Sequence, residues 1–90
     1  MTGFFVYILI SSRDSSFYIG QTNNLDDRLK RHNSGHEKYT RNKGPWNIFW
    51  YTKVPSRSEA MKLERKLKNV KSRARIIAFV EQNRSVGPAA

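Results

Sequence analysis

The chain has 90 residues, with 17 Lys and Arg against 7 Asp and Glu, which gives a formal net charge of +10 at pH 7. This length allows one small domain, and the lack of cysteine excludes a disulfide scaffold, a thiolate metal site and a thiol nucleophile. Such an excess of cations destabilises a compact chain by self-repulsion, which a polyanion relieves. Nucleic acid is therefore the first candidate partner, and an anionic membrane surface is the second.

The first part of the chain predicts a β-hairpin. Residues Phe4 to Ile10 are β-branched and aromatic, turn formers follow at 11–16, and Phe17 to Gly20 resume the strand pattern. We expect the two strands to pair antiparallel through a longer loop. The apolar run is too short to cross a membrane and no basic segment precedes it, so we expect a cytoplasmic protein.

A helix and a third strand follow the hairpin. Asn24 is a candidate N-cap for a helix that carries apolar residues at helical spacing and ends near Asn33. Residues 34–44 are polar and aperiodic, which indicates a loop. The aromatic segment from Trp46 to Tyr51 predicts the third strand.

The last part of the chain predicts two helices. Ser56 and Glu59 form a capping-box pattern ahead of an apolar stripe that runs to Val70, and a further helix is expected from Ser72 to about Gln82. The order β-β-α-β-α-α predicts an α+β fold, with a small, largely antiparallel three-stranded sheet flanked by helices. We assign residues 1–83 to a single domain and residues 84–90 to a flexible tail.

Tyr7 and Tyr18 lie on the two arms of the predicted hairpin. Antiparallel pairing can bring both phenols to one face of the sheet. Tyrosines in strands are also ordinary half-buried packing residues, and the register that decides between these two interpretations is not evident from the sequence.

Arg28 and His32 are four residues apart on the first predicted helix, which places the guanidinium beside the imidazole. Such a pair can hold a phosphate next to a group that transfers protons. The alternative is a solvated cationic face, because Lys30 and Arg31 lie between them.

Glu64 is an acidic residue in a helix rich in Lys and Arg, at the margin of the apolar stripe. A carboxylate there can form salt bridges along the helix, or it can bind a divalent ion near a polyanion. All of the 17 cations except Arg13 and Arg84 lie between Arg28 and Arg75. That distribution suits contact with a phosphate backbone.

Five of these positions together resemble the GIY-YIG endonuclease family, and more closely its small stand-alone bacterial members. Residues 5–7 (Phe-Val-Tyr) stand at the first family motif and retain its tyrosine, and residues 18–20 (Tyr-Ile-Gly) match the second motif in full. Arg28 and His32 fall where the family has its helix arginine and a His or Tyr one turn later. Glu64 stands where the family has its metal-binding glutamate. The resemblance covers most of the chain.

The resemblance implies the GIY-YIG nuclease fold and metal-dependent hydrolysis of DNA, in repair or in the processing of structured DNA. It implies five catalytic residues: Tyr7, Tyr18, Arg28, His32 and Glu64. Glu64 would hold Mg²⁺ or Mn²⁺, and Arg28 would neutralise the phosphoryl oxygens. One tyrosine would take the proton of the attacking water while the other positions that water, and His32 would orient a tyrosine or relay its proton.

Further DNA contacts are expected from the loop and from the basic helix, with Gln21 at a position that is basic in several relatives. The predicted set is Gln21, Lys38, Tyr39, Arg41, Lys43, Lys62, Arg65, Lys66 and Lys68. Branched, damaged and single-stranded DNA are all candidate substrates, and a second copy or another protein could complete the enzyme. The alternative function is a non-catalytic nucleic-acid-binding module, and attachment to a membrane ranks last because no clear amphipathic helix has an aromatic apolar face.

Overall fold

A computed structural model describes residues 3–84 of the chain. Its elements are β1 (Phe4–Ser11), β2 (Phe17–Thr22), α1 (Leu25–Asn33), β3 (Trp46–Val54), α2 (Arg57–Lys68) and α3 (Arg73–Gln82). The predicted α+β class and the order β-β-α-β-α-α are confirmed. The last six residues of the tail predicted at 84–90 lie outside the described range.

Two strands run further than the sequence pattern predicted. β2 continues past Gly20 to Thr22, and β3 continues past Tyr51 to Val54. The reason is that the start of β1 offers partners to both strands, since Phe5 pairs with Thr22 and Phe4 with Val54. Hydrogen bonding to β1 therefore extends the strands into polar residues that show no strand pattern of their own.

The caps predicted at Asn24 and Ser56 form, and Ser72, predicted as the start of the last helix, caps it as well. The side chain of Asn24 accepts a hydrogen bond from the backbone N–H of Asp27, at 3.1 Å. Ser56 Oγ accepts from the N–H of Glu59 at 3.2 Å, and Ser72 caps α3 in the same way. Each bond satisfies one backbone donor that the first turn of a helix leaves without a partner.

The sheet has the order β2-β1-β3, with both strand pairs antiparallel, so β2 and β3 are edge strands. Successive side chains of the central strand β1 point to opposite faces of the sheet, so its residues contribute to two separate hydrophobic layers. Val6 and Ile8 face α2 and α3 and belong to a core that includes Leu67 and Val80. Tyr7 and Leu9 alternate with them along β1 and face the opposite way, toward α1.

No helix within residues 3–84 is long and apolar enough to span a membrane.

Candidate active site

The register of the hairpin places Tyr7 and Tyr18 on the same face of the sheet. Tyr18 pairs with Leu9, and Leu9 points to the same side as Tyr7 because the two are separated by one residue. The two phenol rings lie with their centroids 6.4 Å apart. This is the face that α1 covers, where Leu25 and Leu29 pack against Tyr7 and Tyr18.

Gly20 gives the Tyr7 phenol the space it occupies. Gly20 is the cross-strand partner of Tyr7, and a Cβ atom at position 20 would lie 2.6 Å from Tyr7 Oη and 2.8 Å from its Cζ. Cβ atoms in proteins do not approach non-bonded atoms to less than 3.0 Å. The glycine of the Tyr-Ile-Gly motif is thus required by the close approach of a side chain from the neighbouring strand.

Replacing Gly20 by alanine is expected to displace the Tyr7 ring, to lower the free energy of unfolding by about 1–3 kcal/mol, and to impair any activity that depends on this phenol. Urea denaturation followed by tryptophan fluorescence measures the stability change. Gly44→Ala is the matched control, because a Cβ there would meet its neighbours at 3.7 Å or more. Equal stability of the two variants would contradict the close-approach argument.

α1 brings Arg28 and His32 under the same face. His32 is 1% exposed, and its Nε2 lies 3.0 Å from Tyr7 Oη while its Nδ1 lies 2.8 Å from Thr40 Oγ1. The rings of His32 and Tyr18 are 4.7 Å apart. The Arg28 guanidinium adjoins the Tyr7 hydroxyl and favours its ionised form, in opposition to burial. We call Tyr7, Tyr18, Arg28 and His32 the tyrosine cluster.

Burial governs the protonation of both phenols. Removal from water raises the pKa of Tyr7 to about 12, since the partial relief from Arg28 is smaller. Burial likewise raises the pKa of Tyr18, against the opposing charge of Lys68. Both phenols are therefore protonated at neutral pH in the free protein. A phenol in this cluster can accept a proton from water only if it passes its own proton to another group.

His32 is held in the neutral form. Burial lowers the pKa of its imidazole, and the nearby charge of Arg28 acts in the same direction, while Glu37 opposes both. Its ring nitrogens are consequently free to hydrogen-bond as one donor and one acceptor.

This lowered pKa predicts a pH-dependent stability. The unfolded chain takes up a proton at His32 near pH 6.5, whereas the folded chain resists protonation until a lower pH is reached. The contribution of His32 to stability is therefore complete above about pH 6.5 and is lost as the pH falls from there through the folded pKa. Urea denaturation at a series of pH values measures the free energy of unfolding. Below pH 6.5 this free energy should fall less steeply with pH for His32→Gln than for wild type. Identical slopes for His32→Gln and wild type would contradict the prediction.

Glu37 lies beside two arginines of α1 at the tyrosine cluster. Its carboxylate Oε2 lies 3.9 Å from Arg28 Nη2 and 3.7 Å from Arg31 Nε. Both ion pairs are partly exposed and thus individually weak. An incoming phosphate can compete for Arg28 because it offers a stronger, multidentate acceptor in place of a single carboxylate oxygen.

Glu64 lies in the other layer of the molecule. It projects from α2, and its Oε1 accepts a hydrogen bond from Gln21 Nε2 at 3.0 Å while its Oε2 pairs with Lys68 Nζ at 2.9 Å. We call Gln21, Glu64 and Lys68 the edge cluster. Gln21 pairs with Val6, which faces α2, whereas Tyr18 pairs with Leu9 on the other side of the sheet. The edge cluster and the tyrosine cluster therefore adjoin opposite faces of the edge strand β2. The charges of Lys68 and Glu64 both act on the pKa of Tyr18, which places the two clusters within electrostatic reach.

The edge cluster offers a single carboxylate to a metal ion. Within residues 3–84 no three His, Asp or Glu side chains gather into a metal site of their own. One carboxylate fits Mg²⁺, which in nucleic-acid enzymes keeps several waters and takes further oxygens from substrate phosphates. The neighbouring pocket has a volume of about 320 Å³. Its lining residues are Gln21, Met61, Glu64, Arg65, Lys68 and Asn69.

The predicted DNA-binding residues divide into three groups. Arg65 and Lys68 line the pocket at Glu64, and Lys62 joins Arg65 on the adjoining pocket, while Lys66 is exposed and lines neither. Lys38, Tyr39 and Arg41 are exposed on the connection between α1 and β3. The other two members are Lys43, which pairs with Asp14 at 3.8 Å, and Gln21, which bonds to Glu64 as Lys68 does and lines the same pocket.

Sequence reasoning missed Glu37 and Thr40, which hold the tyrosine cluster in place. Both lie in the polar 34–44 connection, where the sequence shows no period that distinguishes an inward residue from an outward one. Thr40 is fully buried there, yet its neighbour Tyr39 is 83% exposed. The one compositional signal concerned Glu37, which is the single acidic residue of this basic connection, and nothing in the composition distinguished Thr40.

Comparison with known proteins identifies similar chains. A family model described as the GIY-YIG catalytic domain matches residues 3–76. UPF0213 protein OB0043 of Oceanobacillus iheyensis is 42% identical over 81 residues, which cover 87% of this chain and 93% of that protein. UPF0213 protein BH0048 of Halalkalibacterium halodurans is 41% identical over 70 residues, which cover 77% of this chain and 73% of that protein. A solution NMR structure of UPF0213 protein BH0048 from Bacillus halodurans matches with a TM-score of 0.59 at 38% identity, covering 98% of this chain and 89% of that one.

Proposed function

Since the chain belongs to the GIY-YIG catalytic domain family, for which nuclease activity is the general function, we propose that it is a divalent-metal-dependent DNA endonuclease that hydrolyses phosphodiester bonds. The observation that carries this proposal is the hydrogen bond of 3.0 Å between Tyr7 Oη and His32 Nε2, beside the Arg28 guanidinium. A phosphodiester already bears a negative charge, so attack by water needs a base for the water and cations for the developing charge. The tyrosine cluster supplies both.

Tyr7 is the phenol with a route for its proton. As water attacks, its proton passes to Tyr7 Oη while the Tyr7 proton passes to His32 Nε2, which becomes an imidazolium. The nearby carboxylate of Glu37 favours that cation. The resulting hydroxide forms the new bond to phosphorus, and the leaving oxygen departs and takes a proton from solvent. Tyr18, stacked against His32, positions the water.

Arg28 binds the scissile phosphate. It exchanges its partly exposed contact with Glu37 for the phosphoryl oxygens, whose negative charge grows in the transition state. Its position beside the Tyr7 hydroxyl also favours the phenolate while the proton is in transit.

Glu64 would hold a Mg²⁺ or Mn²⁺ ion through the carboxylate oxygens that bond to Gln21 and Lys68 in the free protein. Such an ion would supply Lewis-acid stabilisation of the charge that develops on the phosphate. Lys68, released from Glu64, is then free to pair with the DNA backbone along with Arg65 and Lys62.

The substrate class that we propose is structured DNA, in repair or related processing in the cytoplasm. The exposed Lys38, Tyr39 and Arg41 would contact the DNA next to the tyrosine cluster, since Tyr39 can stack on an unpaired base and the two cations can meet phosphates.

A non-catalytic nucleic-acid-binding module is the second candidate. One observation favours it: both oxygens of the Glu64 carboxylate are already engaged, one by an amide and the other by an ammonium. A protein with Lys68 permanently on Glu64 would bind phosphate through its charge and leave no ligand for a metal ion.

One assay separates the two functions. The purified protein is incubated with supercoiled plasmid, branched DNA and single-stranded DNA, with and without Mg²⁺ or Mn²⁺, and binding is measured in parallel by gel shift. Metal-dependent cleavage of at least one substrate supports the endonuclease. Salt-sensitive binding to all three with no cleavage in either metal would support the binding module instead.

A further inference from the structure

Thr40 is the one fully buried side chain of the 34–44 connection, at 0% exposure. Its neighbours on both sides, Tyr39 and Arg41, face the solvent. A buried hydroxyl in an otherwise exposed polar loop needs hydrogen-bond partners, because burying it without them costs free energy.

The backbone of Thr40 is anchored without help from its hydroxyl. The indole N–H of Trp46 donates to the Thr40 carbonyl oxygen at 2.9 Å, and the backbone N–H of Lys43 donates to the same oxygen at 3.2 Å. The backbone N–H of Thr40 donates to the Glu37 carbonyl oxygen at 3.2 Å. The loop position is therefore set by backbone and indole contacts, which leaves the hydroxyl for another role.

That hydroxyl lies between His32 and the Glu37 carbonyl oxygen. Thr40 Oγ1 is 2.8 Å from His32 Nδ1 and 3.5 Å from the Glu37 oxygen, which can only accept. If the hydroxyl directs its one proton to Glu37, its oxygen accepts from Nδ1–H of His32. The imidazole is then the Nδ1–H tautomer, and Nε2 carries a lone pair directed at Tyr7 Oη.

The opposite tautomer would block the proposed proton transfer. With the proton on Nε2, the imidazole would donate to Tyr7 and could not take the phenol proton. Burial keeps His32 neutral, so the imidazole carries only one proton. The hydrogen bond made at Nδ1 decides which of the two ring nitrogens carries it.

We propose that Thr40 is a positioning residue, whose hydroxyl fixes the His32 tautomer that leaves Nε2 free to accept the proton of Tyr7. This assignment rests on the proposed function for its effect on rate, but its effect on His32 is independent of any reaction. Thr40 is fully buried and acts through His32 alone.

The test compares Thr40→Val, which removes the hydroxyl at nearly constant shape, with Thr40→Ser, which retains it. Long-range ¹H–¹⁵N NMR spectra of the imidazole distinguish the two tautomers of His32 directly. The wild type and Thr40→Ser should show the Nδ1–H tautomer, and Thr40→Val should gain the Nε2–H tautomer. In single-turnover DNA cleavage, Thr40→Val should lose about 10- to 100-fold in rate with unchanged DNA affinity, and Thr40→Ser should recover most of that loss.

Two results would overturn the assignment. The first is an Nε2–H tautomer in the wild type, which needs no variant to fold. The second is a Thr40→Val protein with the wild-type tautomer and rate. If the tautomer changes as expected but no protein in the series cleaves DNA, the endonuclease proposal fails while the assignment of Thr40 to His32 stands.

Discussion

Replacing Tyr7 by phenylalanine is expected to reduce the rate of DNA cleavage by about 10²- to 10⁴-fold and to leave DNA affinity unchanged. The substitution removes only the hydroxyl, which is the atom that bonds to His32 Nε2 and would accept the proton of water. The ring remains in its buried position against Gly20. The protein should also lose about 1–3 kcal/mol of stability, since the buried Nε2 of His32 is left without a partner.

Tyr51→Phe is the matched control for Tyr7→Phe. Tyr51 is the cross-strand partner of Tyr7 on β3, lies on the same face and packs against the same residues. Its hydroxyl has no part in the proposed transfer, so its loss should leave the cleavage rate close to that of wild type. Single-turnover rates with excess protein and gel-shift affinities provide the comparison.

Tyr18→Phe decides between the two phenols. If Tyr7 is the base, removing the Tyr18 hydroxyl should cost less than removing that of Tyr7, because the proton route to His32 remains. A full loss of cleavage in Tyr18→Phe, with normal cleavage in Tyr7→Phe, would reverse the assignment.

Replacing Glu64 by glutamine is expected to abolish metal binding and to reduce cleavage by at least about 10²-fold, while DNA binding is retained. The amide keeps the size of the side chain and removes the charge that would hold Mg²⁺ or Mn²⁺. Electron paramagnetic resonance of Mn²⁺ measures binding to the protein without any reaction. Glu59→Gln, at the exposed acid in the first turn of the same helix, should behave as wild type in both measurements.

Lys68→Met provides the opposite effect at the same site. Because Lys68 pairs with Glu64 at 2.9 Å, its removal should raise the affinity of the free protein for Mn²⁺. Equal Mn²⁺ binding by wild type, Glu64→Gln and Lys68→Met would show that the ion is held elsewhere.

The sequence determined the elements of this fold through local signals. Asn24, Ser56 and Ser72 cap their helices because each stands directly before a periodic segment. The strand ends could not be predicted in the same way, since the strands pass through the polar Gln21 and Lys53, which are ordered by pairing with β1.

The sequence predicted which residues form the candidate site, but it did not predict how they are arranged relative to one another. That Tyr7 and Tyr18 share a face depends on a register set by a six-residue connection of turn formers, for which no single turn type is indicated. Glu64 was predicted as a metal ligand or as a salt-bridge partner along its helix, and its pair with Lys68 is such an i,i+4 contact. Its bond to Gln21 arises only when α2 packs against β2. Thr40 and Glu37 could not be identified from the sequence, because a loop lacks the hydrophobic periodicity that indicates which side chains face inward.

The measurement that most directly tests DNA hydrolysis by the tyrosine cluster is single-turnover cleavage of end-labelled branched DNA in Mn²⁺ or Mg²⁺. Wild type, Tyr7→Phe and Glu64→Gln are purified in the same way, and binding is measured on the same DNA. We expect cleavage by wild type that a chelator stops, and equal binding but no cleavage by the two variants. Equal cleavage by all three proteins, or tight binding by wild type with no cleavage in either metal, would contradict this function.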